Sequence, residues 1–172
     1  DLVHGPLQVP HPWMEGLRSH SVVGSTEMDR TLQDLQPQAD AVVMCAAVAD
    51  VQRADHADIK KLPKEHLIAS MEAGWQLVPD LLQRLVSRRP EGQCLLGFAA
   101  LAGPDEQLLE LGRSKLRAKG CDLLMVNPID RPGQGLDSAL NAGWLLGPGD
   151  RHQRCPLEDK LVLSHRLLDR LL

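Results

Sequence analysis

Short unbroken apolar runs alternate along this chain with stretches whose apolar residues recur at helical spacing. The run that organises the pattern is Ala41 to Asp50, Ala-Val-Val-Met-Cys-Ala-Ala-Val-Ala-Asp. Its first five residues are apolar and partly β-branched, which fits a strand covered on both faces of a parallel sheet better than an alternating, half-exposed one. Small residues follow. Ala46, Ala47 and Ala49 leave room for a ligand to approach the backbone, and Asp50 adds an acceptor-only side chain. The plainer reading is a core strand running into a loop.

The same reading orders the rest of the chain. Asp1-Leu2-Val3-His4-Gly5-Pro6 reads as the end of a strand running straight into a turn, and Leu17 to Val23 can form a short strand. Ser25 or Thr26 caps a helix with Met28, Leu32 and Leu35 on one face, and Pro37 blocks its continuation. From Val51 to Leu67 the pattern dissolves into a polar loop carrying Lys60, Lys61 and Lys64, followed by a weak strand signal at Leu67 to Met71. Pro79 takes the favoured first helical position beside Asp80, with Leu81, Leu82, Leu85 and Val86 as the buried stripe. Cys94 to Ala99 is a second buried strand. Asp105 and Glu106 open the next helix, Leu108, Leu109 and Leu116 bury one side, and Gly120 supplies a left-handed cap. Asp122 to Val126 gives a strand and Asn127 to Gly135 a loop. Ala142 to Leu146 and Arg151 to Pro156 then form a hairpin through Gly147-Pro148-Gly149-Asp150, and a final helix carries Leu157, Leu161, Leu168 and Leu171. This order predicts an α/β fold: a Rossmann-like, doubly wound, mostly parallel sheet with a C-terminal antiparallel hairpin.

Composition narrows the function. The 172 residues suit one domain, with 43% hydrophobic but only 2% aromatic residues, so the core is packed with Leu, Val, Ala and Met. Scarce aromatics and a net charge of -4 argue against nucleic-acid binding, and any anion site has to be local. The four cysteines are widely spaced and read as reduced core residues, and the seven histidines include no pair at metal-ligand spacing. No apolar run approaches the roughly 20 residues that span a bilayer, which predicts a soluble, cytoplasmic protein without a membrane partner.

Candidate chemistry belongs at the carboxyl ends of the parallel strands, in loops expected after Cys45, Ala99 and Val126 that hold Asp50, Phe98 and Asn127. Lys115 and Lys119 share one helix face and, with Lys60, Lys61 and Lys64, form a set able to surround a polyanion; alone, they read as a solvated helix end complementing the dipole. Pro79-Asp80 marks a helix amino terminus with free N–H groups. Phe98, the one phenylalanine, reads as core packing or as a wall for a planar base. The phosphate-cradling Gly-x-x-x-x-Gly-Lys run, the dinucleotide Gly-x-Gly-x-x-Gly run and the Gly-x-Ser-x-Gly elbow are all missing from the sequence.

Taken in order, several stretches resemble the phosphopantothenate-cysteine ligase (phosphopantothenoylcysteine synthetase) half of the bacterial coenzyme A biosynthesis flavoproteins. They are Leu2-Val3-His4-Gly5-Pro6, Ala46-Ala47-Val48-Ala49-Asp50, Lys61-Leu62-Pro63-Lys64, Val78-Pro79-Asp80, Gly97-Phe98-Ala99-Ala100, Lys115 to Lys119 with Asp122, Asn127-Pro128-Ile129-Asp130, and Gly133-Gln134-Gly135 through Asn141. The resemblance implies a usually dimeric enzyme that joins 4'-phosphopantothenate to L-cysteine through an acyl-cytidylate, using CTP with Mg2+. Carried over by position, Met44, Cys45, Ala46 and Asp50 would meet the nucleotide. Lys61 of the loop would reach the triphosphate as the catalytic lysine, and a one-residue offset puts Lys60 in its place. Pro79, Asp80, Leu81 and Leu82 would lie along the nucleotide, Phe98 would bound the base, and Lys115 and Lys119 would complete the charge. The metal ligands are not assigned.

The family also has a preceding strand, a glycine-rich loop and a helix bearing an asparagine, none of which occurs before Asp1. The usual acidic residue after Gly-Phe-Ala-Ala is here Leu101. Residues 1–172 are therefore expected to form a single, N-terminally truncated ligase-like domain, accompanied by a decarboxylase domain or a separate N-terminal piece. The competing reading is a non-catalytic nucleotide-binding or dimerisation fragment of that fold, and a nicotinamide-dependent reductase ranks third because it lacks the glycine fingerprint.

Overall fold

The computed structural model describes residues 1–54, 74–135 and 138–171. In chain order the elements are β1 (Leu2–His4), β2 (Ser19–Ser21), α1 (Ser25–Leu35), β3 (Ala41–Met44), β4 (Val51–Arg53), β5 (Trp75–Leu77), α2 (Leu81–Arg88), β6 (Cys94–Leu101), α3 (Asp105–Lys119), β7 (Leu123–Pro128), β8 (Leu140–Leu146), β9 (His152–Asp159) and α4 (Lys160–Leu168). They fall into two compact units, Asp1–Thr31 with Ala46–Leu81, and Leu32–Cys45 with Leu82–Leu172.

The second unit is built on a five-stranded sheet of order β3-β6-β7-β8-β9. The pairs β3–β6 and β6–β7 are parallel, and β7–β8 and β8–β9 antiparallel. Alternation along the strands feeds two cores. Leu95, Ala99, Leu124, Val126 and Leu146 pack with Leu82 and Leu85 of α2 and Leu108 and Leu116 of α3. Leu96, Met125, Leu145 and Cys155 pack with Leu163 and Leu167 of α4. Helices thus cover both faces, as a doubly wound sheet requires.

Two glycines allow this close approach. A Cβ on Gly112 of α3 would come within 2.6 Å of Val126 Cγ2 and 2.7 Å of Leu146 Cδ1, so the helix lies directly on β7 and β8. Gly143, at φ 154° beside the β8–β9 irregularity, would place a Cβ 2.0 Å from the Val126 carbonyl oxygen. The buried amides of Gln36 and Gln93 are matched to each other and to nearby carbonyls. The Gln36 amide donates to the Leu85 carbonyl at 2.7 Å and to Gln93 Oε1 at 2.9 Å, while the Gln93 amide donates to the carbonyls of Gln36 at 2.8 Å and Ala39 at 2.6 Å. An unmade bond at such a site would cost about 1–3 kcal/mol.

In the first unit, β1 and β2 pair in parallel and β4 and β5 form an antiparallel pair. Ser25 Oγ donates to Gln52 Oε1 at 2.7 Å. Helix α1 opens with the Met28 N–H on the Gly24 carbonyl at 3.0 Å, and Glu27 Oε2 accepts from the Val23 N–H at 2.8 Å, close to the reach-back half of a capping box.

Several expectations shift. The Ala41 strand is expected to be covered on both faces, but Val43 is 41% exposed, and among the described residues β3 pairs only with β6. The supposed polar loop opens with β4, because Val51 to Arg53 find backbone partners in β5 that no apolar pattern announces. The weak strand at Leu67 to Met71 lies outside the described residues. Helix α2 begins at Leu81, leaving Pro79 and Asp80 just before it. Strands β6 and β7 extend two residues further than expected, so Asn127 is in a strand and pairs with Ala100. In α4 the buried residues are Leu163 and Leu167, whereas Leu161 and Leu168 are exposed, and Leu157, expected on this helix, lies exposed in β9; the carboxylate of Asp159 accepts from the Leu161 N–H at 2.8 Å and fixes where the helix starts. Gly120 caps α3 as expected, at φ 73° with its N–H on the Leu116 carbonyl. Of the four cysteines, Cys121 and Cys155 are buried, but Cys94 is only partly so and Cys45 is exposed.

Candidate functional site

The predicted site residues separate between the two units. Ala46, Asp50, Pro79, Asp80 and Leu81 belong to the first; Met44, Cys45, Leu82, Phe98, Lys115 and Lys119 belong to the second. Lys60, Lys61 and Lys64 lie outside the described residues.

In the first unit the short hairpin does the gathering. Val51 pairs with Leu77, and the Val78 N–H donates to the Asp50 carbonyl at 2.9 Å. Two stretches far apart in the chain, Ala46 to Asp50 and Val78-Pro79-Asp80, are therefore neighbours at the hairpin's base. Asp50 is exposed there, and a Val48 N–H to Ala46 carbonyl bond of 3.2 Å turns the small-residue stretch back on itself.

In the second unit two groupings form. The first is at the strands: Met44 pairs with Gly97, which sets the end of β3 beside Gly97-Phe98. Phe98 packs in part against the Leu96 and Met125 core, so core packing accounts for one side of its ring. Gly97 is required by packing, since a Cβ there would meet Leu82 Cδ2 at 2.5 Å. The second grouping is at the helices. Gln83, in the first turn of α2, donates its side-chain amide to the Ala118 carbonyl in the last turn of α3 at 3.0 Å. Ala118 sits between Lys115 and Lys119, so the start of one helix and the cationic end of another lie side by side. No motif announces this contact, because Gln83 reads as an ordinary exposed position. These lysines lie toward the end of α3 that leads into β7, not in the loops beyond the carboxyl ends of the strands.

Other residues of the resembling stretches have architectural partners. Asp122 Oδ2 accepts from the Leu95 N–H at 2.8 Å and from Arg89 Nη1 at 2.7 Å. Asp130 accepts from the Gly103 N–H at 2.9 Å, Arg131 pairs with Asp105, and the Ile129 N–H donates to the Leu101 carbonyl at 2.9 Å. Three consecutive residues thus stitch the loop after β7 to the turn between β6 and α3. Gln134 donates back to the Pro128 carbonyl at 2.9 Å, between Gly133 and Gly135 at φ 78° and 109°. The Arg131 hydrogen bond, helped by Trp144 and Arg154, holds the Asp105 carboxyl below the usual carboxylate range. Burial pushes the thiols of Cys94, Cys121 and Cys155 up, which keeps them protonated and poor nucleophiles.

An open cleft of about 470 Å³ lies beside Arg89, Glu91, Cys94 and Asp122. It borders the amino-terminal end of β6, opposite the strand edge where ligands of parallel sheets bind, and Arg89 and Asp122 in it are already paired. Among the described residues no cluster of three or more His, Cys, Asp or Glu side chains forms a metal cage, and no helix is long and apolar enough to cross a membrane.

The family model for the DNA/pantothenate metabolism flavoprotein C-terminal domain matches residues 1–172. The coenzyme A biosynthesis bifunctional protein CoaBC of Mycobacterium bovis is 34% identical over 147 residues, covering 77% of this chain and 32% of that protein. Its Escherichia coli counterpart is 30% identical over 172 residues, covering 99% of this chain and 40% of that protein. The chain therefore spans between about a third and two fifths of the length of these relatives. A crystal structure of the C-terminal domain of CoaBC superposes with a TM-score of 0.67 at 22% identity, over 98% of this chain and 72% of that one, which shows a shared fold.

Proposed function

This chain belongs to the DNA/pantothenate metabolism flavoprotein C-terminal domain family, and from that premise we propose that it carries the phosphopantothenate-cysteine ligase function of coenzyme A biosynthesis, joining 4'-phosphopantothenate to L-cysteine at the expense of CTP. The chemistry sets the requirements. A carboxylate is a poor acyl donor because its oxygen is a poor leaving group. Its attack on the α-phosphorus of CTP forms an acyl-cytidylate and releases pyrophosphate. The cysteine amine then attacks the acyl carbon, CMP departs, and the nitrogen loses a proton to give the amide. Both departures are favoured by fixed positive charge near the phosphates.

One observation supports the reading above the others: Gln83 draws the first turn of α2 alongside the Lys115 and Lys119 end of α3. A helix start beside two lysines at i, i+4 spacing suits a phosphate chain. Lys61, or Lys60 by a one-residue offset, is proposed as the further lysine on the triphosphate. Mg2+ would come with the nucleotide and screen its phosphate charge. With no acidic cage among the described residues, the phosphate oxygens would be its main ligands.

The test compares nucleotides. Lys115→Ala and Lys119→Ala should each weaken CTP by roughly tenfold to a hundredfold, as for a charge-assisted bond of about 1.5–3 kcal/mol, and leave CMP nearly unaffected. Equal losses for both would remove the triphosphate role. Continued, multiple-turnover pyrophosphate release that requires both 4'-phosphopantothenate and cysteine would establish the reaction. CTP binding without such release would favour a nucleotide-binding fragment.

A further inference from the structure

We infer that Gln83 is a positioning residue for Lys115 and Lys119, setting the distance between the first turn of α2 and the cationic end of α3; the inference rests on the ligase reading. The last carbonyls of an α-helix have no partner within it, and that of Ala118 is one of these. Gln83 Nε2 supplies the missing donor at 3.0 Å from the neighbouring helix. The bond therefore does two things at once: it closes the end of α3 and fixes α2 against it. The residues on either side of the joint include those proposed to meet the nucleotide. Leu82 precedes Gln83, Lys119 follows Ala118, and Lys115 stands one turn back on the same helix. Further along the two helices, Val86 Cγ1 lies 3.2 Å from where a Cβ on Gly120 would stand, so the seam continues past the joint by packing. At its other end the seam adds the Gln83 hydrogen bond to the shared core of Leu82 and Leu116. Ammonium groups on long side chains gain full value only if their helix is held still relative to the other phosphate donors.

Gln83→Met keeps the length and apolar stem of the side chain and removes the donor. Because Gln83 is exposed, the variant should fold with an unchanged urea midpoint. CTP affinity, read by calorimetry on the full chain, should fall about three- to tenfold, in line with one lost hydrogen bond, while CMP affinity stays within about twofold. Combined with Lys119→Ala, the loss should be smaller than the product of the two single losses, because Gln83 acts through the lysine. A multiplicative double variant, or equal weakening of CTP and CMP, would overturn the positioning role. If Lys115→Ala and Lys119→Ala spare CTP, the ligase reading fails first and this inference falls with it. If they weaken CTP but Gln83→Met does not, this inference alone fails.

Discussion

Strands β6 and β7 and the pair β4–β5 are both two neighbouring strands, yet they are held by different means. In β6 and β7 successive residues enter opposite cores, so that Leu95, Leu96, Leu124, Met125 and Val126 are all buried. In β4–β5 the paired residues Val51 and Leu77 stay 46% and 79% exposed, and Arg53 lies over the Trp75 ring at 6.0 Å. A two-stranded ribbon with so little buried area is marginal by itself. Stability resides in the first region, whereas in the second the backbone pairing serves to bring Asp50 beside Val78.

The contrast is sharpest in the core. Leu95→Ala should destabilise the protein by about 2–5 kcal/mol in urea unfolding, because the residue has no exposure and its removal leaves a cavity. Gly112→Ala should cost about 1–3 kcal/mol, since the added methyl must push α3 off Val126 and Leu146. An unchanged midpoint would mean the helix can lift without loss.

A smaller effect is expected at Asp105. Its folded carboxyl is held below the unfolded value of about 3.9. The pair with Arg131 therefore contributes above that pH and is lost as pH falls through the folded value. With both side chains more than a third exposed, the contribution should stay under about 1 kcal/mol. Asp105→Asn should lower stability slightly at neutral pH and remove that part of the acid-induced loss; an identical acid profile in the variant would refute it. Least affected should be Leu77→Ala, which should stay within about 0.5 kcal/mol. A loss of several kcal/mol there would show that the hairpin face is covered in solution.

The same contrast explains what could be read from the residues alone. Helices α2 and α3 and strands β6 and β7 were legible because burial on two faces writes long apolar runs and stripes, and because Gly120 and Asp105 mark helix ends. The β4–β5 pair left no such trace, as three-residue strands held by backbone bonds place no demand on side chains. The partial exposure of β3 was hidden for a related reason: Ala-Val-Val-Met states what the strand prefers, not how many neighbours it has. At the candidate site, Lys115 and Lys119 were visible as a pair at helical spacing. Their setting against α2 was not, because it depends on one amide reaching one carbonyl across two helices.

The matched amides of Gln36 and Gln93 have one more consequence. A parallel run such as Ala41 to Met44 slid by two residues along β6 would keep every side chain on its own face, so apolar preference alone cannot choose between the two alignments. Each amide nitrogen is committed to two named oxygens, and such a slide would orphan them all. Two uncharged side chains therefore act as a key that admits a single alignment of neighbouring strands.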